Sequence, residues 1–254
     1  TLDQKKKLDA LIKKILDVSN FIITTSINTK NDLIKFYQYP QNKIEVVYGA
    51  LINMPNIDNL KNSENIQITN ILNNEKITIN NFNYFLFVGS LEKRKNLSII
   101  IKAVKLLNDK SNTKFIFAGK PDNDYENLKK LIFQYNLTNK FIFTGYIDNQ
   151  TKWRLYKNCC AVLYPSVYEG FGYPILEAYY FNKPIITTRC GSIPELAGET
   201  SLYIEFDKPE QLSIIIQKFI ENQITINYTE IKSQLSKFNW RLSISKFLEI
   251  YNKL

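Results

Sequence analysis

Two carboxylates, Glu169 and Glu177, stand on either side of the stretch Gly170-Phe171-Gly172-Tyr173-Pro174-Ile175-Leu176. An ionised carboxylate only accepts hydrogen bonds, so a pair set about a glycine loop suits hydroxyl-bearing parts of a ligand, such as a ribose and a sugar. Pro174 fits the first position of a helix, which would bring the Gly-Phe-Gly backbone to a helix N-terminus. Free N–H groups and the positive end of the helix dipole attract phosphate oxygens there. By spacing alone a plainer reading stands level with this one: Glu177 as a charge near a helix start, and Glu169 as a solvated loop carboxylate.

The elements that must position these residues are marked by glycine, of which the chain has only eight. Three short apolar runs of similar form, 84–89, 114–119 and 140–145, each end in glycine, at Gly89, Gly119 and Gly145. Continuous apolar runs without alternation predict strands buried on both faces, as in a parallel sheet covered by helices. Further strands are expected at 160–164, 184–187 and 201–204. Helical spacing of apolar residues falls between them, at 97–107, 125–135, 153–157, from Pro174 onward and at 209–221. This alternation predicts a doubly wound parallel α/β domain of Rossmann-like form. Ligands of such sheets bind beyond the carboxyl ends of the strands, where Gly89, Gly119, Gly145, Gly170, Gly172 and Gly191 would line one cleft.

Composition removes other chemistries. The 254 residues are 44% apolar and 22% charged, as in a globular protein, and contain no histidine. Triads with an imidazole base and histidine-ligated metal sites are therefore excluded within this chain. Three cysteines, Cys159, Cys160 and Cys190, are too few for a zinc site and poorly spaced for a disulfide framework, which points to a reducing, cytoplasmic setting. The formal charge of +9 suits an anionic partner. Its lysines are scattered rather than clustered among aromatics, so nucleic acid is not the partner expected. A helix predicted over 4–17 sets Leu8, Leu11, Ile12, Ile15 and Leu16 on one face and Lys5, Lys6, Lys13 and Lys14 largely elsewhere. Such a helix either covers a core or rests weakly on an anionic membrane surface.

The glutamate pair with its intervening loop resembles the signature of glycosyltransferase family 4, retaining enzymes of the GT-B fold. So do Val88-Gly89-Ser90-Leu91-Glu92-Lys93-Arg94-Lys95-Asn96-Leu97, Leu163-Tyr164-Pro165-Ser166, Gly191-Ser192-Ile193-Pro194-Glu195 with Ala197-Gly198, and Phe238-Asn239-Trp240 before a final helix. The resemblance covers roughly residue 15 to the end. It implies a nucleoside diphosphate sugar as donor and no metal or other cofactor. Glu169 would hold hydroxyls of the transferred sugar as the catalytic carboxylate, and Glu177 the ribose. The backbone of Gly170, Phe171 and Gly172 would approach the sugar and diphosphate, and Arg94 and Lys95 would neutralise the diphosphate. Gly89, Ser90, Gly119 and Lys120 would line the donor cleft, with Tyr146 and Ile147 at the base. Many members carry arginine where this chain has Ser90, which shifts phosphate contact onto Arg94 and Lys95.

By the same resemblance residues 1–42 are the last strand and helix of an N-terminal acceptor-binding half that is otherwise missing. Residues 43–254 form the donor domain, opened by a strand at 43–48 and closed by the final helix. The Asn-rich stretch 53–83 carries no functional pattern and reads as a variable loop with a short strand or helical turn. The alternative to a transferase is a non-catalytic nucleotide-sugar-binding module that acts with a partner chain. Donor base, sugar and acceptor are not legible.

Overall fold

The computed structural model describes the backbone of residues 2–60, 66–79, 82–107 and 111–253, with side chains from residue 6 onward. The side chain of Lys5, and residues 61–65 and 80–81 of the Asn-rich stretch, lie outside the described residues. The chain forms two compact units, residues 1–50 with 238–254, and residues 51–237.

In the first unit, α1 (Leu2–Val18), β1 (Ile22–Thr24), α2 (Ile27–Tyr37) and β2 (Ile44–Val46) follow in order. Ser26 starts α2 because its hydroxyl accepts from the Thr29 amide at 3.0 Å, taking up one of the free donors of the first turn. A small core of Leu16, Tyr39 and Ile44, with Ile12, Ile22, Leu33, Ile34 and Tyr37 against it, holds the pieces together. Of the apolar face expected on the first helix, Ile12 and Leu16 enter this core, while Leu8, Leu11 and Ile15 are exposed. The strand expected to open the donor domain does not join the main sheet. It pairs in parallel with β1, Ile22 opposite Ile44, and Lys30 Nζ donates to the Ile44 carbonyl at 2.6 Å.

The second unit is built on a six-stranded sheet, preceded by an antiparallel hairpin, β3 (Ile66–Asn70) and β4 (Glu75–Ile79), in the Asn-rich stretch. In chain order follow β5 (Tyr84–Val88), α3 (Ser98–Leu106), β6 (Lys114–Ala118), α4 (Tyr125–Gln134), β7 (Phe141–Gly145), α5 (Asn149–Asn158), β8 (Ala161–Tyr164), α6 (Tyr173–Tyr180), β9 (Ile185–Thr188), α7 (Ile193–Ala197), β10 (Leu202–Ile204), α8 (Pro209–Ile220) and α9 (Tyr228–Ser236). The sheet runs β10-β9-β8-β5-β6-β7, all parallel. The doubly wound architecture expected from the apolar runs is thus the one found.

The three similar runs have a packing reason. Register sets Phe85 beside Phe115 beside Phe141, and Phe87 beside Phe117 beside Phe143, so residues two apart form aromatic rows across three strands. Neighbouring rings in these rows lie 5.1–5.9 Å apart, and Phe219 of α8 meets Phe85 edge-on at 5.7 Å. Beside β7, the amide of buried Asn70 donates to Phe141 O at 3.2 Å and accepts from Phe143 N at 3.0 Å, while Ile71 N donates to Phe143 O at 2.8 Å.

The last helix, α10 (Trp240–Tyr251), is started by Asn239, whose side chain accepts from Leu242 N at 3.0 Å. Ser243 Oγ donates to the Tyr48 carbonyl at 2.7 Å and Phe238 meets the Tyr48 ring edge-on at 5.3 Å. Contacts therefore group α10 with residues 1–50. The 2.7 and 5.3 Å contacts are non-local, and no local pattern announces them.

Among the described residues no helix is long and apolar enough to cross a membrane. Burial pushes the Cys159 thiol up to about 12, which keeps it protonated and unreactive at neutral pH.

Candidate functional site

Chain order and strand order diverge at β5. From β5 the chain moves outward through β6 and β7, then returns to place β8 on the other side of β5. The crevice at this switch point is bordered by the loops that follow β5 and β8. Arg94 and Lys95 lie on the first loop and Glu169 on the second, and their side chains meet.

Glu169 accepts from Lys95 Nζ on Oε1 at 2.7 Å and from Arg94 Nη1 on Oε2 at 2.7 Å. The Lys95 and Glu169 side chains are each only 7% exposed, whereas Arg94 is 42% exposed. Burial works to raise the Glu169 carboxyl, but Lys95 foremost, with Ser166 and then Arg94, outweighs it and holds the group below the ordinary carboxylate range. Lys95 Nζ also reaches the Tyr164 hydroxyl at 3.3 Å. Arg94 has a second carboxylate partner, Glu92, whose Oε2 accepts from Nε at 2.7 Å. The other Glu92 oxygen accepts from the Ser90 hydroxyl. The Ser90 hydroxyl, then Arg94, hold Glu92 below its ordinary range, so it too is ionised. Two cations and two carboxylates thus balance one another at the mouth of the crevice.

Backbone contacts fix the loops. Val167 N donates to Arg94 O at 2.9 Å, joining one loop to the other. The Ser192 hydroxyl donates to Glu169 O at 2.9 Å and lies 2.7 Å from Phe171 O, and Ser192 N reaches Glu169 O at 3.1 Å. Gly191 has φ +59°, and a Cβ there would stand 2.8 Å from both N and O of Glu169. Only glycine combines that left-handed backbone with so close an approach. Gly119 is required for a different reason: a Cβ would meet Gly89 O at 1.9 Å. The ends of β5 and β6 touch there through bare backbone, with Gly89 N donating to Ala118 O at 3.0 Å.

Gly172 caps α6 and Pro174 lies in its first turn, so the Gly-Phe-Gly loop does lead into a helix start. Glu177 sits one turn inside α6, where both oxygens are occupied: Lys152 Nζ donates at 2.9 Å and the Tyr156 hydroxyl at 2.8 Å. Tyr156 is wholly buried, and burial and then Glu177 raise its hydroxyl well above the ordinary range, so it remains a donor. The plainer reading of Glu169 as a solvated loop carboxylate is overturned by its burial and two ion pairs.

Not every candidate joins the cluster. Arg94, Lys95 and Glu169 touch directly, Ser90 joins through Glu92, and Gly170, Phe171 and Gly172 continue the Glu169 loop. Lys120 is exposed, and its carbonyl accepts from Leu91 N at 3.0 Å. Tyr146 is 87% exposed at the end of β7, with Ile147 half-buried beside it, and neither reaches the ion pairs. Lys152, Tyr156, Ser192 and Glu92 carry the site without having been assigned roles from sequence. For Glu92 a signal existed, since it stands two residues before Arg94 in the glycine loop. Among the described residues no group of three or more His, Cys, Asp or Glu side chains is placed to hold a metal ion.

A doubly wound parallel sheet whose switch-point crevice gathers paired charges defines a ligand-binding α/β domain. The chain belongs to the glycosyl transferases group 1, whose family pattern matches residues 70–237. It is 26% identical over 241 residues to an uncharacterized glycosyltransferase of Methanocaldococcus jannaschii, covering 91% of this chain and 59% of that one. It is 24% identical over 259 residues to O-antigen chain mannosyltransferase B of Escherichia coli, covering 99% and 65%. The chain therefore spans about three-fifths of the length of these curated relatives. Among solved structures it is similar to Anabaena Alr3699/HepE in complex with UDP and glucose, with TM-score 0.79 and 19% identity, covering 98% of this chain and 67% of that one.

Proposed function

We propose that this chain carries the nucleotide-sugar donor site of a retaining glycosyltransferase of the GT-B fold and family 4, and that residues 1–42 belong to the acceptor-binding side. The observation that carries the reading is the meeting of Arg94, Lys95 and Glu169 at 2.7 Å in the switch-point crevice. Arg94 and Lys95 face the donor diphosphate, and Glu169 accepts from hydroxyls of the transferred sugar. Glu177, oriented by Lys152 and Tyr156, accepts from the ribose, and exposed Tyr146 with Ile147 borders the base. A leaving nucleoside diphosphate gains negative charge as the glycosidic bond breaks, and fixed cations beside it lower that barrier without a metal. Names of relatives support the class of reaction: one is a mannosyltransferase, and a structural neighbour was solved with UDP and glucose.

Thermal melts with UDP, GDP, ADP, dTDP and their sugar conjugates, with and without EDTA, test the proposal. A ligand at a hundred times its dissociation constant is expected to stabilise the chain by about 2.7 kcal/mol. EDTA is expected to leave that gain intact. Glu177→Gln should weaken diphosphate and conjugate alike, by roughly 1–3 kcal/mol for a lost charged acceptor. Stabilisation by none of these ligands would overturn the donor-site reading. Stabilisation abolished by EDTA would overturn its metal-free chemistry.

A further inference from the structure

We propose that Glu92 is a positioning residue for donor binding, which together with Ser90 aims the Arg94 guanidinium at the diphosphate; this rests on the donor-site reading above. Arginine at a loop has many rotamers, and an anion gains little from a cation that must first be ordered. Here the guanidinium is held through two nitrogens, Nε on Glu92 and Nη1 on Glu169, each at 2.7 Å, with Nη1 also donating to the Tyr168 carbonyl at 3.4 Å. Two bonds from different nitrogens fix the plane of the group. Nη2 makes no hydrogen bond among the described residues, so it is the part of the group left for a ligand.

The Glu92 side chain has no competing local task. It begins the short 3-10 turn Lys93–Lys95 without any side-chain capping bond, although that is where an acidic residue ordinarily accepts from the backbone. Its two oxygens go instead to the Ser90 hydroxyl and to Arg94. Ser90 thus contributes to the basic site through Glu92 rather than by direct charge, which gives a role to the residue that departs from arginine at this position.

Glu92 also limits Glu169. One Glu169 oxygen takes Lys95 and the other takes Arg94. A carboxylate free of other ties prefers two parallel bonds from one guanidinium. By holding Nε, Glu92 fixes the plane of the guanidinium and opposes the turn that would bring Nη1 and Nη2 together onto Glu169, which keeps the sugar-facing carboxylate divided between two cations. Without Glu92, Arg94 should collapse onto Glu169, which removes a phosphate partner and a hydroxyl acceptor together.

The test is a double-mutant cycle by calorimetry on wild type, Glu92→Gln, Arg94→Gln and the double variant. The titrant is whichever of UDP, GDP, ADP or dTDP stabilises wild type most in the melts above. Glu92→Gln is expected to weaken binding about five- to tenfold in the wild-type background and not at all in the Arg94→Gln background. Ser90→Ala should act in the same direction and more weakly. A purely structural role would give the same loss in both backgrounds and overturn the proposal while leaving the donor site standing. Tighter binding by Glu92→Gln would also overturn it, by showing that the carboxylate chiefly repels the diphosphate. Wild type binding none of the four diphosphates would overturn the donor site and this role with it.

Discussion

Replacing Glu169 with glutamine is expected to destabilise the chain by about 3 kcal/mol, because it leaves the Lys95 ammonium buried without its counter-charge. The Lys95–Glu169 pair is the one that matters, with both side chains 7% exposed; Arg94, 42% exposed, can turn to water and contributes little to this loss. The amide oxygen can still accept one bond from Lys95, which places the cost at the low end for a broken buried pair. Urea unfolding measures it. Lys95→Met in the same chain should restore most of the loss, since no unpaired charge remains. An unchanged midpoint for Glu169→Gln would show that the ammonium is solvated rather than buried.

The same pair leaves a signature in acid. Glu169 is held below the ordinary carboxylate value by Lys95 foremost, with Ser166 and Arg94, against the effect of burial. Its folded pKa is thus below its unfolded one, near 4.3 for a free glutamate. The stability it contributes is therefore present above the unfolded value and lost as the pH falls through the folded one. The difference in unfolding free energy between wild type and Glu169→Gln should accordingly shrink on acidification below about pH 4.

Gly119→Ala is expected to cost more than about 3 kcal/mol, or to prevent folding, since overpacking of this kind exceeds what a core absorbs by side-chain adjustment. The added carbon would stand 1.9 Å from Gly89 O and 2.5 Å from Gly89 C, and neither backbone atom can rotate away. Relief requires parting the ends of β5 and β6 just before the loop that carries Glu92, Arg94 and Lys95. Gly170→Ala supplies the contrast. Nothing lies within 4 Å of a Cβ there and its φ is not left-handed, so its stability should stay within about 0.5 kcal/mol of wild type. Equal stability of the two variants would mean that the strand ends are not in contact in solution.

Most of the sheet was legible because its strands announce themselves. A run such as Tyr84–Val88, closed by Gly89, carries strand type, burial on both faces and end point in six residues. The crevice was legible from the glycines that follow those strands. What the sequence could not carry was which strand neighbours which. Glu169 and Arg94 are 75 positions apart and meet only because β8 returns beside β5 instead of extending past β7. Ligand contacts could be inferred for each residue separately, whereas their pairing with one another could not. Pairwise contacts also explain why Lys152 and Tyr156 were missed: both lie on α5, where their spacing reads simply as a helix. The β1–β2 pair, with Ile22–Thr24 beside Ile44–Val46, and the contacts of Ser243 and Phe238 with Tyr48 join residues distant in sequence, and no local pattern encodes them.

Asn70 closes the sheet. A parallel sheet ending at β7 would offer a row of open backbone groups to any extended chain that came near, and such rows recruit strands from other molecules. The Asn70 amide has one donor and one acceptor face, like a peptide group, and it fills the positions at Phe141 O and Phe143 N that a seventh strand would take. Ile71 takes Phe143 O as well. At the opposite margin β10 has only three residues, too few to template a partner. Asn70 and Ile71 thus leave fewer open backbone groups on this edge for another chain to pair with, and replacing Asn70 with alanine is expected to raise the tendency to self-associate, as light scattering would show.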